Sequence, residues 1–338
     1  MTIIWGHTKL TGISNEFVYA FHIPLFFAMS GMVFDARRYA SFQDFLKRKW
    51  QTLIRPYLIF SFATWLLWAA YSYLTHSGVH SYWMPLLQTF IAQGSGGFLE
   101  HNVPLWFVSC LLVIEILYWF ISKLSDGKNI LFCIGCALLG YILVYQCKFW
   151  DFKLLPWSIE VALMALIFYA MGNLVVKRYG HQRLVKNVVS RKGISIVLVM
   201  AGFVLTAILA HYEGAMSMGH ARLGSNPLVF YATAFIGVSA MLMCCILLAD
   251  VQWGKTGTMV ANAIKWFGKR SFDAMAIHNP IRQVVMVVVA ILLHTTSDAM
   301  SENTAQSLIS FVITLVATSI AMVVIDNLRL IARREKTK

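Results

Sequence analysis

Nine separate runs of this chain are apolar for long enough to cross a lipid bilayer: residues 17–34, 56–74, 103–121, 130–147, 157–176, 194–211, 227–249, 272–294 and 305–326. A spanning helix needs roughly 20 mostly apolar residues, because the hydrocarbon core is about 30 Å thick and an α-helix rises about 1.5 Å per residue. Of the 338 residues, 59% are hydrophobic and 13% charged. A soluble domain has about 45–50% and about 25%, so one aqueous core cannot hold this surplus. Lipid can, by solvating the outside of a bundle. The expected fold class is therefore all-α, a polytopic membrane helix bundle. It has nine complete transmembrane helices plus an N-terminal stub of a tenth, since MTIIWGHTKL is too short to span. No composition break, repeat or low-complexity tract divides the chain, so residues 1–338 read as a single integral-membrane domain.

The net charge of +13 raises the possibility of a nucleic-acid partner. The distribution of the charge argues against one. Basic residues cluster in the segment after the first span (Arg37, Arg38, Lys47, Arg48, Lys49, Arg55), in 122–129, in 177–193, in 250–271 and in the C-terminal tail. The exceptions are Lys9, Lys148, Lys153, Arg222 and Arg282. The basic segments are alternate loops and fall on one side, which the positive-inside rule makes cytoplasmic. The C-terminus is then cytoplasmic, and anionic lipid headgroups are the expected neighbours. The opposite side receives residues 75–102 and 212–226. Within the first, YWMPLLQTFIA reads as a short interfacial helix with an aromatic anchor. All six cysteines lie in apolar runs. The Cys133/Cys136 pair has no second pair and no nearby histidine, so the cysteines read as packing residues and no metal site is expected.

Polar side chains inside spans are costly and are the first candidates for function. His22, Phe26 and Ser30 share one helix face at spacings of four; the bland alternative for His22 is contact with interfacial water. His278 and Arg282 share a face of a later span, with Pro280 between them as a kink. Arg282 is the basic residue deep in a span, and its bland reading is a structural ion pair. Asn102 and Trp106 stand one turn apart around Pro104, where an interfacial tryptophan is ordinary. Glu115 and Glu160 are acidic residues within spans. Glu115 is on roughly the opposite helix face from Trp106 and suits a partner on another helix. Lys47, Arg48 and Arg55 follow the first span, where they suit phosphate binding or, equally, headgroup snorkelling. His7, in GHT, taken alone is an exposed histidine near a terminus.

Together these segments resemble the membrane-bound acyltransferase family 3, in particular its fucose 4-O-acetylase-like branch. The resemblance is carried, in order, by GHT (6–8), FHIPLFFAMSGMVF (21–34), FLKRKWQTLIRPY (45–57), VPLWFVSCLLVIE (103–115), GSNPLVFYATAFIG (224–237) and WFGKRSFDAMAIHNPI (266–281). It implies transfer of an acyl group, usually acetyl from acetyl-CoA, to a sugar hydroxyl of a cell-envelope polysaccharide or lipid-linked glycan. The setting it implies is a bacterial inner membrane. His7, His22 and His278 match the family's histidines. Arg48 and Arg55, with Lys47 beside them, match its basic acyl-CoA-handling motif. Family members carry a complete first helix before the GHT-like element, whereas six residues precede His7 here. That implies a misassigned start or a truncated chain.

The chemistry expected is general-base catalysis by a histidine on the acceptor hydroxyl. Arg282, Asn102 or Asn226 would stabilise the oxyanion, and an acyl-histidine intermediate is the alternative route. No bound cofactor is expected, with acetyl-CoA as substrate. The main competing function is a transporter or flippase of a lipid-linked glycan, which would also carry intramembrane His, Arg and Glu. A non-catalytic scaffold is the other.

Overall fold

The structure is a computed structural model that describes residues 2–7, 13–74, 79–94, 98–146, 155–214, 216–294 and 304–335. Among these residues, nine helical segments are long and apolar enough to cross a membrane, matching the expected bundle. In chain order the helices are α1 (Thr2–His7), α2 (Ile13–Val33), α3 (Phe42–Lys49), α4 (Arg55–Leu74), α5 (Met84–Gln88), α6 (Trp106–Ile121) and α7 (Asp126–Tyr145). They continue as α8 (Ile159–Tyr179), α9 (His181–Ser190), α10 (Lys192–Glu213), α11 (Pro227–Asp250), α12 (Lys255–Lys269), α13 (Ser271–Leu292) and α14 (Thr304–Glu335). A π-helical turn, Trp50–Ile54, joins α3 to α4 as one continuous rod. A two-stranded hairpin, β1 (Met216–Ser217) and β2 (Arg222–Leu223), lies between α10 and α11.

Helices α2, α6 and α8 form the centre. α2 and α8 touch backbone to backbone: a methyl group on Gly31 would stand 1.9 Å from the Tyr169 carbonyl oxygen, and one on Gly172 would stand 2.1 Å from that of Ala28. Small residues at such crossings give the close van der Waals contact that holds membrane helices together, since lipid removes most of the hydrophobic drive between them. Asn173 on α8 completes the joint. Its Nδ2 donates to the carbonyls of Gly31 (3.0 Å) and Phe34 (2.6 Å), and its Oδ1 accepts from the Tyr118 hydroxyl of α6 (3.0 Å). By contrast α10 turns Val197, Leu198, Val204 and Ile208 outward, as a lipid-facing helix does. α13 and α14 run antiparallel and are tied at one end by Asp273–Arg329 and Arg270–Asp326.

Residues 79–94 and 98–102 form more than the expected interfacial helix. The short helix α5 does form, with Trp83 and Leu87 exposed, but the chain then folds inward. The Tyr57 hydroxyl donates to the Thr89 carbonyl at 2.6 Å, and Ser61 Oγ lies 2.7 Å from Thr89 Oγ1 and 3.0 Å from His101 Nε2. Ser61 precedes the end of α4 at Leu74 by a distance of roughly 20 Å at 1.5 Å per residue. Protein groups satisfy part of this irregular backbone, as such backbone requires at membrane depth: Ser109 Oγ and the Trp157 amide donate to the carbonyls of Ala92 and Ile91. The sequence signalled polarity here, and the fold uses that polarity internally.

Candidate functional site

Two clefts open on one face of α2. The first is lined by His22, Ile23 and Phe26 of α2, by Pro104, Trp106 and Phe107 at the start of α6, and by Met275 of α13. His22 is buried, and its Nδ1 lies 2.8 Å from the Val18 carbonyl. A carbonyl only accepts, so in the neutral ring Nδ1 carries the hydrogen and Nε2 keeps its lone pair. That is the protonation state a general base needs. The Tyr19 ring packs edge-on against His22 at 5.1 Å, and its hydroxyl donates to the Gly6 carbonyl. Gly6 also closes over the imidazole: a methyl group there would stand 3.7 Å from Nε2. Trp106 is gripped between two glycines, Gly94 of the inward-folded segment and Gly219 of the hairpin. Any larger residue at either would meet the indole at under 3 Å.

The second cleft, of about 540 Å³, lies where α2 ends on the basic face. Its lining includes Ser30, Tyr39, Arg48, Lys49, Thr52 and Glu115, with Arg38 and Asp44 also contributing. The π-helical turn widens the helix here and sets the phase of Lys49 against Thr52. Lys49 Nζ reaches Glu115 Oε1 at 2.7 Å in a nearly buried pair, and the Tyr169 hydroxyl donates to the same oxygen at 3.4 Å. On the rim, hydrogen bonds from Arg37 hold the Asp35 carboxyl below its ordinary value. Among the described residues Arg38 and Arg48 enter no ion pair. The cleft therefore offers fixed positive charge to an anion. Ser30 and His22, on the same face of α2, are separated by about 12 Å along the helix.

The candidates named from sequence divide accordingly. His22 and Trp106 meet in the first cleft, and Met275 brings the His278 turn beside it. His278 Nδ1 faces the carbonyls of Ala274 (3.0 Å) and Met275 (2.9 Å). Arg282 is half-buried one turn further, with Nε 3.4 Å from Asn279 Oδ1. Among the described residues it has no carboxylate partner, so the structural ion pair is not formed there. Arg48 lines the second cleft, whereas Lys47 and Arg55 are exposed and line neither. Asn226 also lies outside both. It caps α11 by accepting the Leu228 amide, and its own amide donates to Glu213. The His7 side chain lies outside the described residues. Sequence reading missed Lys49, which looks like its exposed neighbours until the helix phase is known. It did assign Glu115 a partner on another helix.

Replacing Lys49 by methionine leaves the Glu115 charge buried without its cation, which is expected to cost on the order of 3–5 kcal/mol. The double variant Lys49→Met with Glu115→Leu is expected to recover most of that loss. Thermal unfolding of the three proteins in detergent checks this; equal losses in the single and double variants would contradict it.

The fold and the two clefts define a multi-pass membrane protein with a buried histidine in one cleft and a cationic vestibule at the other. A family model described as an acyltransferase domain matches residues 1–325, and the chain belongs to that acyltransferase 3 family. No match was found among curated proteins or among solved structures.

Proposed function

We propose that this membrane acyltransferase moves an acetyl group from acetyl-CoA to a sugar hydroxyl of a cell-envelope polysaccharide or lipid-linked glycan, as in the fucose 4-O-acetylase-like branch. The bacterial inner membrane is the proposed setting, with the basic face and the C-terminus cytoplasmic. The observation that carries this reading is the shared face of α2, which presents His22 to one cleft and Ser30 to a cationic one.

In this reading Arg38 and Arg48 hold the phosphates of CoA, and the acyl arm lies along Phe26 toward His22. Nε2 of His22 takes the proton of the acceptor hydroxyl as its oxygen attacks the thioester carbon. The tetrahedral oxyanion collapses, the carbon–sulfur bond breaks, and the imidazolium returns the proton to the CoA sulfur. Arg282 is the residue for the oxyanion. The asparagine candidates are already engaged, Asn226 as a helix cap and Asn102 through its amide hydrogens. His7 and His278 support the base. Nothing in the fold or the comparisons supports the transport alternative.

The test uses purified protein in detergent with acetyl-CoA and envelope glycan from a deletion strain. Thiol release that requires the glycan, with gain of one acetyl mass by the glycan, is expected. Glycan binding with no thiol release would sink the proposal.

A further inference from the structure

Pro280 lies inside α13. Proline has no amide hydrogen, so the carbonyl four residues earlier, that of Ala276, loses the donor an α-helix normally gives it. In a membrane interior no bulk water replaces that donor, and an unsatisfied carbonyl there costs several kcal/mol. Asn102 supplies it from another part of the chain. Its side chain is fully buried, and Nδ2 donates to the Ala276 carbonyl at 2.5 Å across a separation of 174 residues. Nδ2 also approaches Thr64 Oγ1 at 3.4 Å. Because a carbonyl only accepts, the amide orientation is fixed by chemistry.

Both ends of this bond adjoin the walls of the histidine cleft. Asn102 leads into Pro104 and Trp106, and Ala276 follows Met275; those three residues face His22. Two residues past Ala276 is His278. Thr64 on α4 donates in turn to the Phe60 carbonyl at 2.7 Å, so α4, α6 and α13 meet at one amide.

We infer that Asn102 is a positioning residue: it clasps α13, at the carbonyl that Pro280 deprives of its helical donor, to the start of α6, and so sets the spacing of the two walls opposite His22. The inference about catalysis rests on the acyl-transfer reading above, whereas the clasp itself does not.

The experiment compares the full chain, Asn102→Ala, Pro280→Ala and the double variant, by thermal unfolding and by steady-state CoA release. Pro280→Ala restores a backbone N–H to residue 280. Asn102→Ala is therefore expected to lower Tm in the parent and to change it little in the Pro280→Ala background. If Asn102→Ala fails to accumulate alone, recovery of folded protein in the double variant carries the same meaning. Equal Tm losses in both backgrounds would overturn the clasp. The loss of kcat behaves differently. It is expected to be on the order of tenfold in both backgrounds, with KM for acetyl-CoA unchanged, because the restored helical bond does not restore the cross-helix tie. Return of kcat together with Tm in the double variant would overturn the positioning role. If the parent itself transfers no acyl group, the proposed function fails while the Tm comparison still decides the clasp.

Discussion

His22→Ala is expected to lower acyl transfer about a thousandfold, within the range that general-base catalysis contributes. The ring is held with Nδ1 on the Val18 carbonyl, so Nε2 is the nitrogen left to take a proton. Among the described residues, the cleft's other lining side chains are those of Ile23, Phe26, Pro104, Trp106, Phe107 and Met275, and none duplicates that arrangement. Affinity for acetyl-CoA is expected to be unchanged, because the cationic cleft lies about 12 Å away along α2. CoA release measured with envelope glycan, alongside equilibrium binding of a non-transferable CoA thioether, separates the two effects. Activity within tenfold of the parent would remove His22 from the mechanism.

The second large effect is on assembly. Gly172→Ala places a methyl group 2.1 Å from the Ala28 carbonyl oxygen, a backbone atom that no side-chain rotation can move. α2 and α8 must separate, and α2 carries His22 while α8 carries Tyr169 and Asn173. Overpacking at a yielding site costs about 1–3 kcal/mol, and this site, with Gly31 facing Tyr169 just beside it, has little to yield. Gly172→Ala is expected to abolish most folded protein and all transfer activity. Gly135→Ala is the control: nothing lies within 4 Å of a methyl group there, and alanine in place of glycine favours a helix by about 1 kcal/mol. Size-exclusion profiles and thermal unfolding in detergent check both. A monodisperse Gly172→Ala protein with parental Tm would show that the α2–α8 crossing tolerates separation.

The spans were legible because an apolar run of about 20 residues is a local property, and no distant contact is needed to recognise it. The intramembrane polar residues were legible for the same reason, and His22, Trp106 and Arg48 do line the two clefts. Roles were less legible. Lys47, Lys49 and Arg55 carry equal weight in the sequence, yet the helix phase around Trp50–Ile54 exposes the first and last and turns Lys49 onto Glu115, 66 residues away. Asn226 reads like Asn102 in composition, but one caps its own helix and the other bonds a different one. Residues 75–102 read as a polar outer-side segment with an interfacial helix, because polar composition does not say whether water or protein will satisfy it.

By itself, then, the sequence determined a helical membrane bundle, the asymmetry of its charge and the kink available at Pro280. Only the tertiary structure decided which residue supplies the donor that Pro280 withholds and which of the polar residues face a cleft. The physical reason lies in distance along the chain. Apolar length and a missing amide hydrogen are properties of one segment. The bonds from Asn102 to Ala276 and from Lys49 to Glu115 join segments 174 and 66 residues apart, and only the packing of the folded chain brings those segments together.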